Sequence, residues 1–312
     1  MTQTAKTYLF FIIYIIFNFI SGIAVVSLLK DGSNTMLASA IWQIVFFVPV
    51  LFIGVKLFGN RAAETLSLNK TSLADIVLAV LLAIVISPIA NLLSAFMSLF
   101  FPNAAAGTLD TSMGYSFGLS VLTLCVIPAV FEELVFRGVV FSGLKNMRLS
   151  KACVMGGLIF ALAHFSLQSI LYTFFIGTLF CYVVYRTKSV IPGMAAHFTL
   201  NFSQVMLYRA AAAIDSAVNT SVTEAEMVSI IFRYVAMSIF SLPIAAGIIF
   251  LMGRKYGRGK PLYALVRKIG FVIEGEEAFD YSPQKQFEDK AMDLRLILIL
   301  VVYAGSVLYQ YF

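Results

Sequence analysis

The sequence predicts an all-α fold, a polytopic transmembrane helix bundle of about 8–9 spans with a cytoplasmic N-terminus. Three observations lead there. The 312 residues are 60% hydrophobic and only 12% charged, with a mean hydropathy of +0.92, far from the roughly half-apolar, quarter-charged mix of soluble domains. Apolar runs of the length needed to cross about 30 Å of hydrocarbon recur along the chain. In lipid every backbone polar group must be satisfied internally, which excludes open sheets.

Taken in order, the first run is Tyr8 to Leu29. It exceeds a signal peptide's apolar core and has no evident small-x-small cleavage site after it, so it reads as the first span. Met36 to Phe58, Ala74 to Phe101 and Phe117 to Phe141 follow as spans. Ala152 to Phe165 and Ser169 to Tyr185 are shorter and almost unseparated, which predicts a tight hairpin or a partly re-entrant pair. Val190 to Ala213, Val228 to Met252 and Leu294 to Tyr311 complete the set. Arg61 and Lys70, then Lys145, Arg148 and Lys151, then Arg186 and Lys188, and finally a basic run from Arg254 to Lys268 fall on alternate connections. The positive-inside rule puts those connections and the N-terminus in the cytoplasm. It also accounts for the net charge of +6 without nucleic acid, since the aromatic residues lie in apolar runs rather than among the basic ones.

Between the last two spans, Gly253 to Asp293 is polar, basic first and acidic later. It reads as a solvated cytoplasmic loop, with Pro261 to Ile269 a candidate surface helix. Cys125, Cys153 and Cys181 sit in apolar segments without disulfide or zinc spacing and read as small core residues. No internal repeat of the kind found in many transporters is evident. The expected division is N-terminal transmembrane helices over 1–112, a core over 113–213, and C-terminal helices with the loop at 253–293 over 214–312.

The chain's two histidines, His164 and His197, both lie inside apolar runs, and a third apolar run carries Glu132, Glu133 and Arg137. Ionisable groups in hydrocarbon are costly, so each must face the protein interior or a wet cavity, and each is a functional-site candidate. Glu133 and Arg137 have the i,i+4 spacing that pairs charges on a helix face. This predicts a structural ion pair that leaves Glu132, about 100° around the helix, as the chemically free carboxylate. Counted from the inner ends of their spans, Glu132 lies about 13 Å deep, His164 about 18 Å and His197 about 10 Å, with Asn201 one turn beyond His197. Convergence at similar depth favours a catalytic site over polar packing groups.

A glutamate and two histidines without a paired nucleophile do not suit acyl-enzyme chemistry. They do suit direct attack by water. The carboxylate would act as general base, one histidine would hold the water, and the other with an asparagine amide would stabilise an oxyanion. Glu132, His164 and His197 are also a conceivable zinc ligand set, though no His-Glu-x-x-His helix is present. From the residues alone no cofactor is assigned, and the metal question stays open.

The blocks Glu132-Glu133-x-x-x-Arg137-Gly138, Phe160-x-x-x-His164 and His197-x-x-x-Asn201, in this order, resemble the CPBP family of intramembrane proteases. That family includes type II CAAX prenyl endopeptidases and proteins linked to bacteriocin immunity. Gly177, Tyr185, Thr187 and Pro192 also fit its pattern, and the resemblance covers about Leu119 to Phe202. It implies Glu132 as the water-activating glutamate, His164 as its partner, and His197 with Asn201 as the oxyanion pair. It further implies an endopeptidase in a bacterial cell membrane, acting on a peptide or protein substrate at the bilayer, lipidated or not. Two alternatives from other classes are a non-catalytic membrane partner that regulates a sensor or exporter, and a proton-coupled transporter.

Overall fold

The computed structural model describes residues 1–28, 34–59, 62–215, 224–252 and 294–311, and among them all regular structure is helical. The helices are α1 (Gln3–Leu28), α2 (Thr35–Phe58), α3 (Ala62–Thr65), α4 (Leu73–Ser98), α5 (Ala104–Met113), α6 (Phe117–Gly143), α7 (Leu149–Leu162), α8 (Ile170–Thr187), α9 (Ile191–Asp215), α10 (Glu224–Leu251) and α11 (Leu294–Tyr311). Among the described residues, six segments are long and apolar enough to cross a membrane: Gln3–Ile23, α2, α4, α6, α8 and Val228–Leu251. The chain is an integral, multi-pass membrane protein. The 253–293 loop, with its candidate surface helix, lies outside the described residues.

Local signals set several ends. Asn34 caps α2 by accepting from Leu37 N at 2.9 Å, and Gly59, at φ +68°, closes the same helix in a left-handed turn that a Cβ would disfavour. Ser72 caps α4 in the same way through Asp75 N.

The pair predicted over 152–185 resolves into one long and one short helix. α7 has 14 residues, about 21 Å, and ends well short of a bilayer's width. Its connection to α8 carries the buried Gln168, whose Nε2 donates to Ser94 O at 3.2 Å and lies 2.9 and 3.0 Å from the Ser94 and Ser98 hydroxyls of α4. Irregular backbone at membrane depth is tolerated only where it is buried in protein, and these bonds tie the connection to α4. α7 and α8 approach closely because a Cβ on Gly177 would come within 2.8 Å of Gly157 Cα.

Two apolar clusters organise the bundle. One joins α1, α2, α6, α7 and α11 with Cys181 and Val184 of α8, and the other joins α4, the rest of α8's buried face, α9 and α10. α6 lies between α2 and α9. Arg186, which the sequence placed among the cytoplasmic loop charges, is instead fully buried at the end of α8. Its Nε donates to Met252 O at 2.9 Å and its Nη2 to Phe250 O at 2.8 Å, so it caps the C-terminal carbonyls of α10.

Candidate active site

α6 is not a uniform α-helix. Two stretches, Leu122–Val126 and Glu133–Val140, are wound as π-helix, a form that recurs at functional sites. The first has a local cause. Pro128 carries no N–H, and its ring crowds the carbonyl four residues back, that of Leu124. Ile127 N accordingly bonds to Leu122 O, five residues back. The displaced carbonyls find side-chain donors: Gln43 Nε2 donates to Thr123 O at 3.2 Å and Asn201 Nδ2 to Leu124 O at 3.0 Å.

The second stretch carries the carboxylates. Glu133 and Arg137 are completely buried, with Oε1 and Nη1 2.9 Å apart. The Arg137 guanidinium lies over the Phe160 ring at 4.1 Å and near that of Phe180 at 5.4 Å, a cation–π arrangement that strengthens when desolvated. Glu133 Oε1 also lies 2.9 Å from His197 Nδ1. Glu133 thus holds both an arginine and an imidazole. On the facing helix α9, a Cβ on Gly193 would meet Glu133 Oε2 at 2.8 Å, so the absence of a side chain there, one turn before His197, lets the two helices close.

Glu132 is differently placed. Its side chain keeps 20% of its exposure, and its Oε2 is 4.0 Å from His197 Nε2. His164 lies just past the end of α7, in a turn where its backbone N bonds to Ala161 O and Phe165 takes φ +48°. The span predicted through Phe165 therefore stops short of it. Its Nδ1 donates to Phe160 O at 2.8 Å. Both imidazoles pack edge-on to Phe160, with centroids at 4.7 Å for His164 and 6.2 Å for His197. His164 is within electrostatic reach of Glu132, His197 and Arg137.

These bonds fix tautomers. A backbone carbonyl only accepts, so neutral His164 carries its proton on Nδ1 and presents a lone pair on Nε2. Glu133 faces the permanently charged Arg137 and accepts as a carboxylate, so His197 also carries a proton on Nδ1. Neutral His197 then offers an acceptor at Nε2, and it becomes a donor there only as imidazolium.

On both rings Nδ1 is held by a hydrogen bond and Nε2 is left open, as in histidines that bind metals. Among the described residues, no three His, Cys, Asp or Glu side chains are grouped as a ligand set.

The structure brings Glu132, Glu133, Arg137 and His197 into direct proximity, and His164 joins them across Phe160. Asn201 is turned to the Leu124 carbonyl rather than standing unengaged beside His197. Sequence reasoning missed four contributors: Pro128, Gly193, Gln43 and Tyr14. Pro128 and Gly193 left a signal, one as a proline inside an apolar span and the other one turn before a histidine. Gln43 and Tyr14 lie on distant helices and left none. Tyr14, on α1, packs its ring 5.5 Å from that of Phe136 and, like Tyr172 on α8, is close enough to feel the charge of Glu132.

Fold and site together define a polytopic helical membrane protein with a carboxylate–imidazole centre buried between its helices. Residues 114–203 match the family model "Type II CAAX prenyl endopeptidase Rce1-like". A Bacillus subtilis (strain 168) protein, "Putative membrane peptidase YdiL", is 24% identical over 231 residues, covering 65% of this chain and 89% of that protein. No solved structure matches the chain. The two matches support the CPBP resemblance carried by the motifs and, in general terms, a membrane endopeptidase.

Proposed function

We propose that the chain is an intramembrane endopeptidase that hydrolyses a peptide bond near the cytoplasmic membrane face, using water activated by Glu132. One observation carries this reading: the less buried of two adjacent carboxylates faces an imidazole whose other nitrogen is clamped by the fully buried one. Adjacent carboxylates in different surroundings take different roles.

Glu132 takes a proton from water as the oxygen attacks the scissile carbonyl carbon. The carbonyl electron pair moves to oxygen. Protonated His197 and the second N–H of the Asn201 amide donate to that oxyanion. Collapse of the tetrahedral intermediate breaks the C–N bond, and the Glu132 proton passes to the leaving amine. His164, with its lone pair on Nε2, accepts a hydrogen bond from the attacking water. Glu133 and Arg137 hold His197 in tautomer and rotation. The substrate class proposed is a membrane-proximal peptide, lipidated or not.

The test is incubation of purified protein in nanodiscs with a library of membrane-proximal peptides, reading new termini by mass spectrometry with hydroxylamine present. Cleavage to free carboxylates without hydroxamate is the expected result. Hydroxamate products would mean an acyl-enzyme and overturn the mechanism. Absence of any cleavage by folded protein would favour the non-catalytic partner.

A further inference from the structure

Helix α2 lies wholly outside the matched segment 114–203, yet it lies along α6 through one of its own faces. Gln43, Phe47 and Gly54 recur at spacings of four and seven, the repeat of a helix face. They meet, in order, Thr123 O at 3.2 Å, the stacked Phe131 ring at 5.5 Å, and Val139, whose Cγ1 would lie 2.8 Å from a Cβ on Gly54. Two of those contacts are apolar. The amide is the exception, because a primary amide in the middle of an apolar span is costly unless its polar atoms are bonded.

What Gln43 bonds explains its presence. Thr123 O has lost both helical donors: Ile127 N has moved to Leu122 O, and Pro128 has no N–H. Without a donor from outside the helix, the π turn would bury an unpaired carbonyl at membrane depth. With it, the turn is stable. One residue in or out of a helical turn rotates everything beyond it by about 100°, and nine residues beyond Thr123 stands Glu132.

We infer that Gln43 and Pro128 together are positioning residues for the hydrolysis proposed above: the proline opens the π turn, the amide satisfies it, and the turn sets the rotation that aims Glu132 at His197. This inference rests on the proposed role of Glu132, but part of its test does not. With Pro128→Ala, the restored N–H lets the turn revert to α-helix, and Gln43 loses its task.

The experiment compares wild type, Gln43→Met, Pro128→Ala and the double variant as full-length protein in nanodiscs. It reads unfolding midpoint, and kcat and KM on a peptide that the wild-type protein cleaves. Gln43→Met, nearly isosteric but without a donor, should lower the midpoint and reduce kcat by about 10²-fold, with KM unchanged. Pro128→Ala should keep or raise the midpoint, since it restores a helical hydrogen bond, yet lose kcat to a similar degree. In the double variant, Gln43→Met should cost no further midpoint. Pro128→Ala at wild-type kcat would overturn the inference, and so would an equal midpoint loss from Gln43→Met in both backgrounds. Should the wild-type protein cleave nothing, the endopeptidase reading fails, while the midpoint comparison still decides whether the two residues are coupled.

Discussion

Removing either member of the Glu133–Arg137 pair should unfold the protein far more readily than any change at Glu132. Both side chains are fully buried with their charged atoms 2.9 Å apart, so Glu133→Gln strands a guanidinium and Arg137→Met strands a carboxylate. Breaking a buried pair this way costs about 3–5 kcal/mol, or roughly two to four powers of ten in the folding equilibrium at about 1.4 kcal/mol per tenfold. Arg137→Met also forfeits the guanidinium over Phe160, worth about 2 kcal/mol when desolvated. Replacing both partners leaves no uncompensated charge, and such replacements are often close to neutral. The double variant Glu133→Gln/Arg137→Met should therefore be more stable than either single one. Reversible unfolding in mixed detergent micelles, followed by far-UV circular dichroism, gives the four free energies. Single variants within about 0.5 kcal/mol of wild type, the scale of ordinary surface substitutions, or costs that simply add, would refute the reasoning.

Three further outcomes are expected. Gly193→Ala puts a methyl 2.8 Å from Glu133 Oε2, on a carboxylate that cannot swing away, and should cost about 1–3 kcal/mol together with activity. Gly247→Ala, whose Cβ meets nothing within 4 Å, should not destabilise; equal melting of the two variants would contradict the close-approach argument. Arg186→Ala frees the carbonyls at the end of α10 and should cost at least about 2 kcal/mol with little change in turnover per folded molecule, so loss of turnover at unchanged stability would contradict the capping role. His197→Gln, which keeps an amide donor for the oxyanion, should retain reduced activity, and chelators should leave the wild-type rate alone. Zinc that copurifies stoichiometrically, leaves with activity on chelation and restores it on return would overturn that assignment.

The all-helical class was legible because a bilayer allows few alternatives, and the i,i+4 spacing of Glu133 and Arg137 pointed to a contact now seen at 2.9 Å. Arg186 misled because charge near a span's end is ordinarily solvated, and only the tertiary position of Phe250 and Met252 turns it inward. The short helix before His164 was one of two alternatives, since apolar content does not reveal where a chain turns inside protein. The π turns were hidden because winding depends on where displaced carbonyls find donors. Pro128 marks the break, but its donors, Gln43 and Asn201, stand about 80 residues away on either side. The carbonyl-bonded Asn201 amide and the Glu133-bound imidazole narrow how the expected oxyanion pair can work, and no reading of spacing could have shown that.

The most direct measurement is the rate of peptide cleavage by Glu132→Ala beside wild type, both purified, folded and in the same nanodiscs. Glu132's contact with His197, at 4.0 Å, is longer and more exposed than the Glu133–Arg137 pair, so the variant should be destabilised far less than Glu133→Gln. Its rate should fall by the roughly 10² to 10⁴-fold that general-base catalysis contributes. Equal cleavage by the two proteins would contradict the account at its centre.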